Sequence, residues 1–213
     1  LTGISTFSVH VRFAPAVSIY LVLYLLLITE ELNLNGRCEL KEKISILSLH
    51  LNVGGIEKAI CDQANMLSEK YNVEIITLYK MNNTIPFKLN KNVKVIYLSK
   101  VKPNKEELKK YLKEKDIINT FKEGIKAIKI LYLKKQLMAE YIYNSDSKII
   151  ISTRLYFTKL LNKYKNPEAI TIAEEHVYHH ESKKYFRKLD KALKNIDYLL
   201  PASKYLTIDY KKK

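Results

Sequence analysis

The residues best equipped for chemistry in this chain stand just beyond apolar runs. Gly54 and Gly55 follow the run Ile44 to Leu51, and Ile56, Ile60, Ala64 and Leu67 then recur at helical spacing, with Ala59 and Met66 widening the stripe. A helix that opens at the glycines presents unbonded N–H groups and a partial positive charge. The backbone at Gly54, Gly55 and Ile56 can therefore hold phosphate or carboxylate oxygens. Neither the three-glycine dinucleotide fingerprint nor a Walker A lysine followed by Ser or Thr is present. A glycine pair serves equally well as a plain sharp turn between strand and helix, and both readings stay open.

Two further positions carry candidate chemistry. Arg154 ends the sequence IIISTR directly after an apolar run, and a guanidinium suits phosphate recognition, although a surface arginine on a basic protein reads the same way. His176 lies in IAEEHVYHH just past another apolar run, where open α/β sheets place ligand residues; the alternative is a capping or loop histidine. Glu174 and Glu175 either orient His176 or are solvated charges. His176 and His180 have the four-residue spacing of a zinc pair. HVYHH nevertheless lacks the Glu that follows the first His in a metalloprotease helix, and no Cys is near, so no metal site is expected.

These positions need a scaffold that brings the ends of separate strands together. Val73 to Leu78, Val93 to Leu98, Lys148 to Ser152, Ala169 to Ala173 and Tyr198 to Leu200 read as strands after the first one. Helical patterns alternate with them: Glu106 to roughly Asn144, Leu155 to Tyr164, Ser182 to Asn195, and Ser203 onward. In the long region Leu108, Tyr111, Leu112, Ile117, Phe121, Ile125, Ile128 and Tyr132 recur every three or four residues, and Gly124 is a candidate break. The alternation predicts an α/β fold: a Rossmann-like, doubly wound parallel sheet over 43–213, preceded by an apolar helical extension over 1–42.

The segment NVGGIEKAICDQANMLSEKYNVEIITLY resembles the start of the family 4 glycosyltransferases, which share the two-domain GT-B fold. IAEEHVYHH is similar to the family's Glu-His segment, and DYLLPASKYLTIDY to the stretch before its interdomain linker. The matches run in family order from about Lys43 to the C-terminus. The resemblance implies one half of a GT-B fold, the acceptor-side domain of a retaining glycosyltransferase used in polysaccharide or cell-envelope assembly. It implies transfer from a nucleotide diphosphate sugar to a glycan or lipid-linked acceptor, with no cofactor and no metal. Gly54 and Gly55, flanked by Asn52 and Glu57, would approach the donor diphosphate, and His176 would sit near acceptor and transferred sugar. The donor domain, with its paired glutamates, would be truncated or separately encoded, leaving this chain alone inactive. A sugar-nucleotide epimerase on the same fold and a non-catalytic membrane-associated binding module are the other readings.

Composition is compatible with a protein that meets anions. Lys and Arg total 37 against 22 Asp and Glu, a net charge of +15, and 47% of the residues are hydrophobic. That allows one sizeable core in 213 residues, with no room for a second full domain. Cys38 and Cys61 imply no disulfide framework, and a cytoplasmic, reducing location is expected. The lysines between Lys100 and Lys135 make contact with an anionic membrane surface through region 104–144 one reading and a solvated helix the other. A nucleic-acid partner is not expected, because no recognition motif is present. Ala14 to Ile28 is an apolar run of about 15 residues, short against the roughly 20 that span a bilayer. Family members begin just before the first strand, so a start near Leu40 and a non-native 1–42 segment are expected.

Overall fold

The computed structural model describes Arg12–Phe13 and residues 41–211, apart from Tyr178, His180 and Glu181. The elements are β1 (Arg12–Phe13), β2 (Lys43–Ser48), α1 (Gly55–Leu67), β3 (Asn72–Tyr79), β4 (Val93–Ser99), α2 (Lys105–Lys113) and α3 (Ile117–Tyr143). They continue as β5 (Ile149–Ser152), α4 (Leu155–Tyr164), β6 (Ile170–Glu175), α5 (Lys183–Leu193), β7 (Tyr198–Pro201) and α6 (Lys204–Lys211). The expected apolar run Ala14 to Ile28 lies outside the described residues. Among the described residues no helix is long and apolar enough to cross a membrane.

All pairings in the sheet are parallel, in the order β1-β7-β6-β5-β2-β3-β4. Six strands thus give the Rossmann-like order, with β2 and β5 as central neighbours whose connections leave in opposite directions. The two residues of β1 add a short parallel edge, Arg12 pairing with Tyr198 and Phe13 with Leu199.

Alternation along the strands divides the core into two layers. Ile44, Ile46, Val73, Ile75, Ile149, Ile151 and Ile172 face one way, with Ile60, Ala64 and Leu67 of α1 in the same cluster. Leu47, Ile76, Leu78, Ile150 and Ala173 face the other way, among Met138 and Ile142 of α3, Phe157 and Leu161 of α4, and Leu189 of α5. Phe157 is fully buried, so Phe157→Ala would cost about 3–5 kcal/mol through lost burial and the cavity left behind.

Three local differences from the sequence-based expectation have physical causes. The first expected strand stops at Ser48, because Ser48 Oγ donates to the His50 carbonyl at 2.8 Å and turns the chain. The long helical region is two helices. The break falls at Lys115, whose φ is 55°, and Asp116, whose carboxylate accepts the Asn119 N–H and caps α3, while Gly124 lies inside α3. The third concerns the apolar series on α3. Ile130, Met138 and Ile142 are its buried residues, whereas Ile117, Phe121, Ile125, Ile128 and Tyr132 are exposed.

Candidate functional site

The carboxyl ends of β2 and β5 meet at the switch point of the sheet, where open α/β folds leave a crevice. The β2 end continues through His50 and Asn52 into Gly54, which caps α1; the β5 end continues through Thr153 into Arg154, which caps α4. Thr153 Oγ1 donates to the Leu47 carbonyl at 2.7 Å and pins the two loops together.

Glu57, in the first turn of α1, sits between these loops. Its carboxylate is almost wholly buried and accepts from the Arg154 guanidinium at 2.8 Å, with His50 Nδ1 at 3.6 Å. A carboxylate there complements the positive end of α1, and a charge-assisted bond to arginine offsets its burial. The helix N-terminus that the sequence marks as an anion site therefore already holds one anion from its own chain. Arg154 remains partly exposed, leaving guanidinium N–H groups to meet a second anion.

The two glycines differ. Gly54 has φ 172° and ψ 155°, extended backbone open to any residue, but a Cβ there would collide with Glu57 Oε2. A Cβ on Gly55 would meet nothing within 4 Å. Close approach to Glu57, rather than a left-handed turn, explains the glycine at 54. Ile56 follows in α1, and its backbone N–H is among the first of the helix, as expected for an anion-facing position. Asn52 Oδ1 accepts from Asn82 Nδ2 at 2.8 Å, linking the loops after β2 and β3 on the exposed rim.

A second polar group forms at the end of β6, which runs through Glu174 and Glu175. Successive strand residues point to opposite faces, and these two carboxylates do so. Glu174 is buried on the α1 side, where Oε1 accepts from Gln63 Nε2 at 2.7 Å and Oε2 lies 3.0 Å from His176 Nε2. His176 thus has its ring nitrogen fixed by a carboxylate, the arrangement that holds a histidine in one orientation. Glu175 does not take that role. It is buried on the other side, accepting from Tyr185 Oη at 2.6 Å, with Tyr210 Oη at 3.5 Å and His179 Nε2 at 3.5 Å. Burial pushes the Glu175 carboxyl above the usual carboxylate range, partly opposed by the Tyr185 hydrogen bond and the His176 charge. Burial and the adjacent Glu175 also raise the Tyr185 hydroxyl. Glu175 Oε1 has no hydrogen-bond partner among the described residues.

The structure therefore gathers Gly54, Gly55, Ile56, Glu57, Asn52, Arg154 and His176 at one edge of the sheet, while Glu175 turns into the layer beneath. Sequence reasoning missed His50 and Gln63. Gln63 had a signal: it lies three residues after Ile60 and four before Leu67, a polar side chain on the buried stripe of α1, and such a residue requires a partner. His180 lies outside the described residues. Among the described residues no group of three or more His, Cys, Asp or Glu could hold a metal ion. Cys61 is a free buried cysteine on α1 whose thiol is pushed up to about 11 by burial, an unreactive setting.

Two grooves lie away from this edge. One of about 760 Å³ is lined by Asn162, Lys165, Lys194 and Asp197, by the amino ends of β6 and β7, and one of about 590 Å³ by Tyr132, Gln136, Tyr143 and Tyr164. Neither includes a residue that the sequence singles out for chemistry. No protein-family model matches the chain, and no curated protein matches it significantly.

Proposed function

We propose that this chain is the acceptor-side domain of a family 4-like glycosyltransferase. The observation that carries the reading is the convergence of the Gly54 turn, Arg154 and His176 at the carboxyl edge of a sheet with Rossmann-like strand order. In the proposed reaction an acceptor hydroxyl bonds to the anomeric carbon as the bond from that carbon to the diphosphate breaks. Negative charge grows on the departing diphosphate, and the acceptor proton leaves with it or passes to solvent. First-turn N–H groups at Gly55 and Ile56, with the Arg154 guanidinium, are suited to stabilise that charge because they are oriented before it develops. Glu57 holds Arg154 in place. His176, oriented by Glu174, is suited to hydrogen-bond an acceptor or sugar hydroxyl. The donor sugar's own binding domain would come from sequence outside this chain.

The test is a titration of the 15N-labelled chain with UDP, GDP and dTDP. Shifts at Gly55, Ile56 and the Arg154 side chain are expected, with affinity weak in the absence of a donor domain, on the order of millimolar. Arg154→Gln should abolish them. In a sugar-transfer assay that includes a donor domain, His176→Ala should lower turnover by about 100-fold or more. Absence of nucleotide shifts at the turn, together with unchanged turnover in His176→Ala, would overturn the reading.

A further inference from the structure

We propose that the solvent side of α3 is a docking surface that lies flat on an anionic lipid bilayer. An amphipathic helix ordinarily turns its apolar stripe to the core. Here Ile117 is 81% exposed, Phe121 70%, Ile128 69% and Tyr132 71%, with Ile125 also exposed. These residues follow the i, i+4, i+8, i+11, i+15 spacing of one face, a stripe about 22 Å long at 1.5 Å per residue. Ile130, Met138 and Ile142, further toward the C-terminal end of the helix, are its buried residues and hold it on the core. Leu112 at the end of α2 is exposed as well and extends the patch.

The charges identify the occupant. Lys122, Lys126 and Lys129 are all exposed and run along one edge of the stripe; Lys126 lies 3.4 Å from Glu123, and Lys122 acts on the Asp116 carboxylate. Residues 105–144 contain ten lysines against six acidic residues. A second copy of the chain would set this lysine row against another like it, whereas anionic headgroups complement the row while the acyl boundary takes the apolar stripe. Because Ile130, Met138 and Ile142 anchor α3 to the core, it lies along the surface rather than inserting across it. The inference stands independently of the glycosyltransferase reading, since it uses none of the residues at the sheet's carboxyl edge.

The experiment is co-sedimentation of the chain, without nucleotide, with phosphatidylcholine vesicles that either lack or contain roughly one quarter phosphatidylglycerol. Binding to the anionic vesicles should be at least about tenfold tighter than to the neutral ones, and should weaken as salt rises. Phe121→Ser/Ile128→Ser, at exposed positions and with folding verified by circular dichroism, should lower binding at least about tenfold. Lys122→Glu/Lys126→Glu/Lys129→Glu should remove the preference for anionic lipid. Failure of the native chain to bind, or equal binding by Phe121→Ser/Ile128→Ser, would overturn the proposal. So would a dimer in sedimentation velocity that Phe121→Ser/Ile128→Ser dissociates while no vesicle binding is seen, which would assign the stripe to a second copy.

Discussion

At the amino end of the sheet, Glu74 on β3 is met by Lys94 at 2.9 Å and Lys43 at 3.1 Å, and Asp197 before β7 by Thr171 and Lys165. At the carboxyl end, Glu57 is met by Arg154, Glu174 by Gln63 and His176, and Glu175 by Tyr185. Burial alone would raise the carboxyls of Glu74, Asp197 and Glu175. At the amino end the lysines and the Thr171 hydrogen bonds win, and both Glu74 and Asp197 fall below the usual carboxylate range. At the carboxyl end Glu175 has a hydroxyl partner instead of a cation, and burial wins. At one end the acids are neutralised by lysines. The other holds a partly exposed arginine and a mostly buried histidine on buried acids, which is where a fold can hold chemistry at some cost to its own stability.

The contrast can be broken by removing acids at the carboxyl end. Among changes at this end Glu174→Ala should have the largest effect on stability, about 2–3 kcal/mol by urea denaturation, because it strands the Gln63 amide in a buried site and frees His176. A loss below about 0.5 kcal/mol would mean that this polar tie is dispensable and the two ends are less different than their geometry implies. Gly54→Ala comes next, at about 1–2 kcal/mol, since the new methyl displaces a Glu57 carboxylate that Arg154 otherwise holds. Arg154→Gln combined with Gly54→Ala should cost less than the sum of the two, a coupling that a double-mutant cycle reads directly.

The two ends should also answer pH in opposite directions. Glu175 is raised, so its contribution to stability is fully present below the ordinary glutamate range and is lost as pH rises through its folded value. Glu74 and Asp197 are lowered, so theirs is present above the ordinary carboxylate range and lost as pH falls through their folded values. Glu175→Gln should therefore raise Tm at neutral pH, with the gain closing as the solution becomes acidic. Asp197→Asn should lower Tm at neutral pH, with the deficit closing in acid. If both variants show the same pH trend, the assignment of opposite shifts is wrong.

Much of this was legible in the residues, for physical reasons that differ by element. The isoleucine-rich runs ISILS and IIIS are buried and bounded by turns, so their strands followed from composition. The carboxyl-edge residues followed from topology, because anything just past a parallel strand lands there. Two features were not legible. The partner of His176 depends on which of two adjacent glutamates shares its face, and the apolar run that marks β6 in the sequence ends at Ala173, before either. The fate of the apolar series on α3 was hidden because Ile128 and Ile142, two heptads apart, project to nearly the same face, yet the first is exposed and the second buried, and periodicity alone does not say which part of a helix meets the core.

The sharpest version of the comparison is Gly55→Ala, where the expected stability change is the smallest. Gly55 begins α1, has no left-handed φ, and a Cβ there would touch nothing within 4 Å. Alanine in a helix is favoured over glycine by up to about 1 kcal/mol, and at the first position less, so Tm should stay level or rise slightly. If the space beside Gly55 is where a diphosphate approaches the backbone, the same methyl must weaken nucleotide binding even though the fold is untouched. A variant that keeps its Tm and loses the UDP-induced shifts at Ile56 would separate the glycine of this turn that serves Glu57 from the one that serves a ligand. A variant that keeps both would leave Gly54 alone with a structural reason to be glycine, and would move the candidate anion contact from the α1 backbone to Arg154.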